Sequence, residues 1–240
     1  MELADSARTR DDGSAIQPGP GSFIELHFTG AVVALGIAII LFTLIAADVV
    51  RGGAGTLIDA RLSIWLHART AARLTMFFAL TSKFHSNLYV GIATALICTY
   101  LWTKHLRYWV LSLLLSVFGG MLLNVGLKEL FVRPRPIFAD TILRLHTFSF
   151  PSGHTMLASV FYGSLCVFLA SRTQSWILRT LAIVVAVLMI ALVGFSRMYL
   201  GVHYLTDVMG AIVEGSAWLA TSFLIVALVR KQRALSSHPS

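Results

Sequence analysis

His203 and Asp207 lie four residues apart near the C-terminal end of the chain. Side chains at this spacing share one face of a helix and can hydrogen-bond. A carboxylate that holds the proton on one ring nitrogen leaves the lone pair of the other nitrogen free to attack a substrate. The pair, preceded by Ser196 and Arg197, therefore predicts a histidine nucleophile oriented by an aspartate. The alternative is a buried His–Asp pair that only stabilises its helix.

A second polar group, Pro151-Ser152-Gly153-His154, comes directly before an apolar segment. Ser152 is a favourable N-cap residue for a helix that starts there. The first backbone amides of a helix have no partner within it, and a glycine lets an anion approach them closely, so this helix start predicts an anion site. His154 would lie on the first turn beside the anion. An ordinary interfacial histidine is the alternative at this position.

A third polar group, residues 128–136, contains Lys128, Arg133 and Arg135 and ends in two alternating prolines. The prolines stop a helix and stiffen the chain, which fixes where the arginines project. An arginine offers a planar fork of donors and a lysine offers a point charge, and both suit an oxyanion such as phosphate. The alternative is snorkelling of basic side chains at a helix end. Arg133 has two interpretations, direct contact with the anion or long-range steering of anions.

The composition indicates that lipid is part of the solvent of this chain. Apolar residues make up 57% of its 240 residues and charged residues only 12%, whereas soluble domains carry about 25% charged residues. The net charge is +8, but the basic residues are spread between apolar segments, which suits anionic phospholipid and argues against nucleic acid as a partner. Cys98 and Cys166 lie in apolar runs, without the spacing of a disulfide framework or a zinc site.

Six apolar segments approach or exceed the length needed to cross a membrane, about 20 residues with a range of about 17–25. We predict an all-α membrane protein with six transmembrane helices at residues 29–50, 87–103, 108–127, 153–171, 176–195 and 205–229. Apolar and polar residues alternate over 57–67 as in a helix lying flat on the membrane, which predicts an interfacial helix between spans one and two. Residues 74–86 either extend span two or form part of this connection.

The polar termini complete the predicted organisation. We predict a flexible cytoplasmic tail at 1–26, a six-helix membrane domain at 27–230 with its polar groups within 128–207, and a cytoplasmic tail at 231–240. Basic residues in both tails favour a cytoplasmic position for them under the positive-inside rule. All three polar groups then lie on the opposite face. The expected location is the inner (cytoplasmic) membrane, with the site on its outer or periplasmic side.

The three polar groups resemble the signature motifs of the type-2 phosphatidic acid phosphatase superfamily, which also includes the vanadium haloperoxidases. The motifs are K-x6-R-P, P-S-G-H and S-R-x5-H-x3-D, matched in order by Lys128, Arg135 and Pro136, by Pro151, Ser152, Gly153 and His154, and by Ser196, Arg197, His203 and Asp207. The resemblance is to the membrane lipid phosphatase branch, and the P-S-G-H form followed by Thr155-Met156 is similar to the phosphatidylglycerophosphatase B type.

The resemblance implies a role for each matched residue. His203 would be the nucleophile that forms a phosphohistidine, Asp207 would orient it, and His154 would be the general acid for the leaving oxygen. The phosphate would be held by Lys128, Arg135, Ser152, Gly153 and Arg197. No Asp/Glu cluster has the spacing of a metal site, so the expected reaction needs neither a metal nor a cofactor.

The resemblance also limits the substrate to lipid phosphates or diphosphates, such as phosphatidylglycerophosphate or phosphatidic acid. The alternatives are an undecaprenyl-diphosphate phosphatase, although those enzymes often carry another residue at the Gly153 position, and a lipid phosphotransferase that uses the same intermediate. Glu214, seven residues after Asp207, is expected to be a structural hydrogen-bonding residue, or else the partner of a basic side chain. The oligomeric state is left open.

Overall fold

A computed structural model of the protein describes residues 20–138 and 147–236. These residues contain nine α-helices and no β-strand, which confirms the all-α prediction. The helices are α1 Pro20–Arg51, α2 Ala54–His67, α3 Ala72–Phe84, α4 Asn87–Thr103, α5 Arg107–Leu114, α6 Gly120–Phe131, α7 Gly153–Arg172, α8 Trp176–Tyr199 and α9 Leu205–Ser236. A π-helical turn, Leu115–Gly119, joins α5 to α6 without interrupting the helical path.

The long apolar helices make the protein a multi-pass membrane protein. Among the described residues, five segments are long and apolar enough to span a bilayer: 30–51 in α1, 107–131 through α5 and α6, α7, α8, and 205–233 in α9. Helices α3 and α4 meet at an angle of 48° and make a sixth crossing if they form one bent span. Residues 74–86 are therefore mostly helical and lie in the first arm and the break of this bent pair.

The first and last helices extend beyond the predicted membrane domain of 27–230, whose limits stay a prediction. Helix α1 begins at Pro20; proline is favoured at the first position of a helix. Helix α9 continues to Ser236 because residues 231–235 are mostly strong helix formers. The remaining tail residues, 1–19 and 237–240, lie outside the described part of the chain.

Helices α7, α8 and α9 pack closely because small residues lie at their contacts. A Cβ atom placed on Gly215 of α9 would lie 2.7 Å from the Cβ atom of Ser159 on α7, and one placed on Gly194 of α8 would lie 2.7 Å from Val208 of α9. Small residues let membrane helices approach closely enough for dispersion contacts between their backbones. These three helices carry the second and third polar groups, so their close packing fixes one polar group relative to the other.

Helix α2 lies against the C-terminal end of α8 and the N-terminal end of α9. Its buried residues, Asp59 and Leu66, are seven positions apart and therefore lie on one face. Leu66 joins Phe78, Tyr199, Leu200 and Val202 in an apolar cluster. An interfacial position of α2 in the membrane stays a prediction; its packing ties residues 54–67 to the connection between α8 and α9.

Candidate active site

The first polar group begins at a sharp change of chain direction. Helix α6 ends at Phe131, and Val132 has a left-handed backbone with φ of 49° while its amide still bonds to the Lys128 carbonyl at 3.0 Å. A β-branched residue is uncommon in this conformation, and such residues concentrate at functional sites. Beyond it, the backbone amide of Ser149 donates to the Arg133 carbonyl at 2.8 Å. The segments before α7 and after α6 are thereby held side by side.

The second polar group forms the start of α7, as predicted. Ser152 occupies the N-cap position, but its hydroxyl accepts a bond from Thr155 Oγ1 at 3.0 Å and caps no backbone amide. The amide of Ser152 donates to the Asp207 carbonyl at 3.1 Å, which joins the start of α7 to the start of α9. The amides of the first turn of α7 therefore have no side-chain cap, as an anion site requires.

The third polar group follows a helix end that requires a glycine. Helix α8 closes with a Schellman arrangement, in which the amides of Gly201 and Val202 bond to the carbonyls of Met198 and Arg197 at 3.0 and 3.2 Å. Gly201 has φ of 67°, a conformation that is strained for other residues. The turn reverses the chain and places His203 directly before α9.

His203 lies between a carboxylate and a guanidinium. Its Nδ1 atom is 3.3 Å from Asp207 Oδ2, and its Nε2 atom is 3.0 Å from the NH1 atom of Arg135. An arginine only donates hydrogen bonds, so these partners assign the ring proton to Nδ1 and the lone pair to Nε2. The ring is 2% exposed. The predicted contact between His203 and Asp207 is therefore present in the folded chain, but the two residues do not share a helix, because α9 begins at Leu205.

The surroundings of His203 favour its neutral form. Its pKa lies well below 6.5, first because the ring is buried and then because Arg135, Arg197 and Lys128 are nearby, while a backbone hydrogen bond with Ser149 acts in the opposite direction. Burial penalises the charged form of an imidazole, and neighbouring cations repel its second proton. The lone pair on Nε2 is thus available at neutral pH.

Arg135 is held by the backbone around it. Its guanidinium donates to the carbonyls of Thr147, Phe148 and Val202 at 2.7, 3.0 and 2.7 Å, in addition to His203. Burial lowers the pKa of Arg135, and the nearby Asp207 partly offsets this effect. A cation fixed by several carbonyls is already in position for an anion, so little conformational entropy is lost when the anion binds.

The two other predicted cations lie at the same end of the helix bundle. Lys128 donates to the Phe148 carbonyl at 2.8 Å. Arg197 is 2% exposed and donates through NH1 to the hydroxyl of Ser82 on α3. The Nε atom of Arg197 is buried without a hydrogen-bond partner among the described residues. Buried donors without a partner are rare in folded proteins.

His154 lies on the first turn of α7, half-buried. Its charged and ionisable neighbours are, in order of electrostatic influence, Arg197, His203, His85 and Arg135. Among the described residues, no hydrogen bond joins its ring to that of His203, and the two histidines come from different elements. Their electrostatic influence on each other indicates that the two rings are near neighbours.

Asp59 is a residue missed by the sequence-based prediction, and Arg133 connects it to Asp207. Arg133 donates to Asp207 Oδ1 at 2.5 Å and to Asp59 Oδ2 at 2.8 Å. Arg133 is thus bound to two carboxylates, and its direct contact with an anion or its steering of anions stays a prediction. Asp59 belongs to the helix predicted as interfacial, and no sequence signal links it to residues 74 or more positions away.

Further missed residues lie on α3 and α6. The bond of Ser82 to Arg197 depends on the bend between α3 and α4, which the sequence leaves undecided. Asn124 on α6 donates to Glu214 Oε2 at 2.9 Å, and both side chains are buried. Glu214 therefore has a neutral hydrogen-bonding partner, in agreement with the structural interpretation. A buried polar pair within two apolar helices is the signal that could have linked them.

Among the residues that the structure describes, no group of three or more His, Cys, Asp or Glu side chains is arranged to hold a metal ion. The polar side chains at this end of the bundle are instead mainly cations and histidines. Such a set suits an anionic ligand with several oxygen atoms.

Comparison with known proteins gives two curated relatives that are both named as phosphatases. The chain is 41% identical over 111 residues to phosphatidylglycerophosphatase B of Bacillus subtilis, which covers 45% of this chain and 54% of that protein. It is 31% identical over 135 residues to undecaprenyl-diphosphatase BcrC of the same organism, covering 52% and 63% of the two chains. The matched region thus spans about half to three-fifths of the length of these curated relatives.

Two solved structures share the fold. The crystal structure of a transmembrane PAP2-type phosphatidylglycerolphosphate phosphatase from Bacillus subtilis superposes with a TM-score of 0.72 at 26% identity, over 82% of this chain and 96% of that one. The structure of Aquifex aeolicus LpxE, at 24% identity, has a TM-score of 0.56 over 70% and 95% of the two chains. The sequence model of the PAP2 superfamily matches residues 109–231, which include all three polar groups. The chain therefore belongs to the PAP2 superfamily.

Proposed function

We propose that this protein is a metal-independent lipid phosphatase that acts through a phosphohistidine at His203. The observation that carries the proposal is the arrangement of His203, with Nδ1 on Asp207 and Nε2 directed at Arg135. Cationic side chains and helix amides supply the charge neutralisation that phosphoryl transfer needs most.

In the first step, the lone pair of His203 Nε2 attacks phosphorus and a P–N bond forms. The bond between phosphorus and the lipid oxygen breaks, and His154 gives a proton to that oxygen, which leaves as the lipid alcohol. The phosphate oxygens are held by Lys128, Arg135, Arg197 and the start of α7 at Ser152 and Gly153. Asp207 stabilises the positive charge that develops on the His203 ring.

In the second step, a water molecule attacks phosphorus and the P–N bond breaks. His154, now deprotonated, takes the proton from this water, and inorganic phosphate leaves. His203 returns to its neutral form and His154 to its protonated form, so protons and charges balance over the cycle.

Phosphatidylglycerophosphate and phosphatidic acid are the substrates that we propose. The relative with 41% identity is named a phosphatidylglycerophosphatase, and a polar site at the end of a membrane-embedded bundle suits a lipid whose chains remain in the bilayer. Undecaprenyl diphosphate is the second candidate, because the relative with 31% identity is an undecaprenyl-diphosphatase. Hydrolysis of each of these three lipids begins with the same attack on phosphorus.

The experiment measures phosphate release by the full chain, purified in detergent, from a panel of these three lipids. We expect activity that persists in EDTA, loss of activity in His203→Ala and His154→Ala, and wild-type activity in Glu129→Gln, which changes an exposed carboxylate on α6. If His203 still attacks phosphorus in His154→Ala, a labelled phosphoenzyme should accumulate in this variant. A phosphohistidine is recognised because it is stable in alkali and labile in acid. Wild-type phosphate release by both histidine variants, or a strict need for magnesium, would contradict the proposal.

Product analysis separates hydrolysis from transfer. Substrate with labelled phosphate should give labelled inorganic phosphate alone; a labelled lipid product in the presence of a lipid alcohol would identify a phosphotransferase. We also propose that the site faces the outer side of the cytoplasmic membrane. Right-side-out membrane vesicles should then hydrolyse an added short-chain lipid phosphate without detergent, whereas inverted vesicles should need detergent.

A further inference from the structure

Asp59 connects α2 to the start of the helix that carries Asp207. Its side chain is 1% exposed. Its Oδ1 atom accepts from the backbone amide of Thr206 at 3.0 Å, and its Oδ2 atom accepts from the Thr206 hydroxyl at 2.5 Å. The amide of Thr206 is one of the unpaired donors at the N-terminus of α9, so a residue from α2 provides the cap of that helix.

Arg133 bridges the two carboxylates of this region. NH2 donates to Asp59 at 2.8 Å, while NH1 donates to Asp207 Oδ1 at 2.5 Å and to the Thr206 hydroxyl at 2.7 Å. The guanidinium also lies over the ring of Tyr204, 4.4 Å from its centroid. A planar fork of donors between two acids is an arrangement that lysine does not reproduce.

The two oxygen atoms of Asp207 consequently have different partners. Oδ1 faces Arg133, whereas Oδ2 accepts from the Tyr204 amide at 2.9 Å and lies 3.3 Å from His203 Nδ1. The bond to Arg133 is much the shorter of the two side-chain contacts. Arg133 therefore competes with His203 for the negative charge of Asp207, and Asp59 takes up part of the charge of Arg133.

We infer that Arg133 and Asp59 are positioning residues that set, through Asp207, the orientation and basicity of His203. This inference rests on the proposed role of His203 as nucleophile. Arg133 fixes the Asp207 carboxylate so that Oδ2 faces the ring, and Asp59 prevents Arg133 from neutralising that carboxylate. Among the described residues, no side-chain hydrogen bond or ion pair joins Asp59 or Arg133 to the ring or to the predicted phosphate-binding groups, so we infer that both act on catalysis without touching the substrate.

The charge on His203 depends on groups from every element around it. These are Asp207 on α9, Arg135 in the segment after α6, Lys128 on α6, Arg197 on α8 and His154 on α7. Only Asp207 among them is an acid. A change in the charge available on Asp207 therefore acts on the ring through the carboxylate that contacts it directly.

The test reads the His203 ring directly, by NMR of the full chain labelled with ¹⁵N-histidine in detergent. The His203 signal is identified by its loss in His203→Gln. In Asp59→Asn the amide oxygen still accepts from Thr206 while the negative charge is removed, so we expect the His203 pKa to fall. In Arg133→Gln a positive charge is removed and we expect the His203 pKa to rise. Glu129→Gln serves as the control and should leave the signal unchanged.

The opposite signs separate an electrostatic role from a structural one. A loosened site would move the ring towards solvent and raise its pKa in both variants. Shifts of the same sign in Asp59→Asn and Arg133→Gln, or no shift in either, would overturn the inference. The other histidine signals show whether each variant remains folded, and a variant that loses them is replaced by Asp59→Ser or Arg133→Met, which also remove the charge.

A double-mutant cycle on turnover gives an independent measurement. We expect kcat to fall about tenfold in Asp59→Asn and about a hundredfold in Arg133→Gln, with KM changed less than about threefold in each. Because Asp59 acts through Arg133, the double variant should be no slower than Arg133→Gln alone. Multiplied losses would overturn the inference. An inactive wild-type protein would contradict the proposed function instead, and the NMR result would still decide the positioning role.

Discussion

The Nε2 atom of His203 accepts a hydrogen bond from Arg135, whose NH1 atom lies 3.0 Å away. In the free protein, the guanidinium therefore covers the lone pair that is to attack phosphorus. A phosphoryl oxygen is a stronger acceptor for arginine than an imidazole nitrogen, because it carries charge. Binding of substrate is expected to turn Arg135 towards the phosphate and uncover Nε2 in the same movement.

The first prediction concerns the other side of the ring. Asp207→Asn keeps the shape of the side chain but can present an N–H group to Nδ1, which favours the tautomer with its proton on Nε2. We expect kcat to fall roughly 10³- to 10⁴-fold, as for other His–Asp pairs, with a small change in KM. Steady-state kinetics on the best lipid of the panel measure this. Loss of less than about tenfold would show that Asp207 does not set the tautomer.

The second prediction concerns pH. Because burial and nearby cations lower the pKa of His203 from 6.5, the ring stays neutral as the pH falls through 6.5 and protonates only below it. The acid limb of kcat/KM, which reports on the free enzyme, should therefore lie below pH 6.5. The pKa of the substrate phosphate is measured separately by ³¹P NMR, and the pH profile of kcat/KM is corrected for this ionisation. A corrected limb at or above pH 6.5 would contradict a His203 nucleophile in these surroundings.

The contrast between His203 and Asp59 shows how far the sequence predicts this protein. The spacing of His203 and Asp207 along the chain already predicts their proximity, although His203 lies just before α9 and only Asp207 lies on the first turn of that helix. The apolar segments likewise predict the helices. Asp59 and Thr206 are 147 positions apart, and only the packing of α2 on α9 brings them together. Long-range polar contacts of this kind leave no periodic signal in a single sequence.

The helix boundaries show a second limit. The composition change at residue 27 reflects where the chain becomes apolar, whereas the described helix α1 already begins at Pro20. The bend between α3 and α4 is equally hidden, since residues 72–84 are too short to span a membrane by themselves. Its consequence for the site is the contact of Ser82 with Arg197.

The third prediction tests that contact. Ser82→Ala removes the hydroxyl that holds NH1 of Arg197, a buried cation whose Nε atom already lacks a partner. We expect the inhibition constant of vanadate and the KM for substrate to rise about three- to tenfold, corresponding to a hydrogen bond of about 1 kcal/mol, with a smaller effect on kcat. Thr81→Ala removes the neighbouring hydroxyl, which bonds to the Phe77 carbonyl, and should leave both constants unchanged. Equal effects of the two variants would refute a role of Ser82 in positioning Arg197.

The fourth prediction concerns the start of α7. A Cβ atom on Gly153 would lie 3.1 Å from Asn124 Oδ1 and 3.8 Å from Lys128 Cε. Asn124 is held by its bond to Glu214 at 2.9 Å, so in Gly153→Ala either this buried pair or the start of α7 must shift by a few tenths of an ångström. We expect a several-fold loss of kcat/KM and a fall in stability of about 1 kcal/mol, within the usual range for overpacking.

Gly126→Ala is the matched control, because it lies in α6 with open space around its Cβ position. Alanine is the better helix former by about 1 kcal/mol, so the melting temperature in detergent should stay constant or rise, and activity should be that of the wild type. Activity and melting temperature of Gly153→Ala that equal those of Gly126→Ala would show that the contact with Asn124 does not restrict the anion site. A loss confined to Gly153→Ala would instead explain why glycine suits this position when Asn124 is its neighbour.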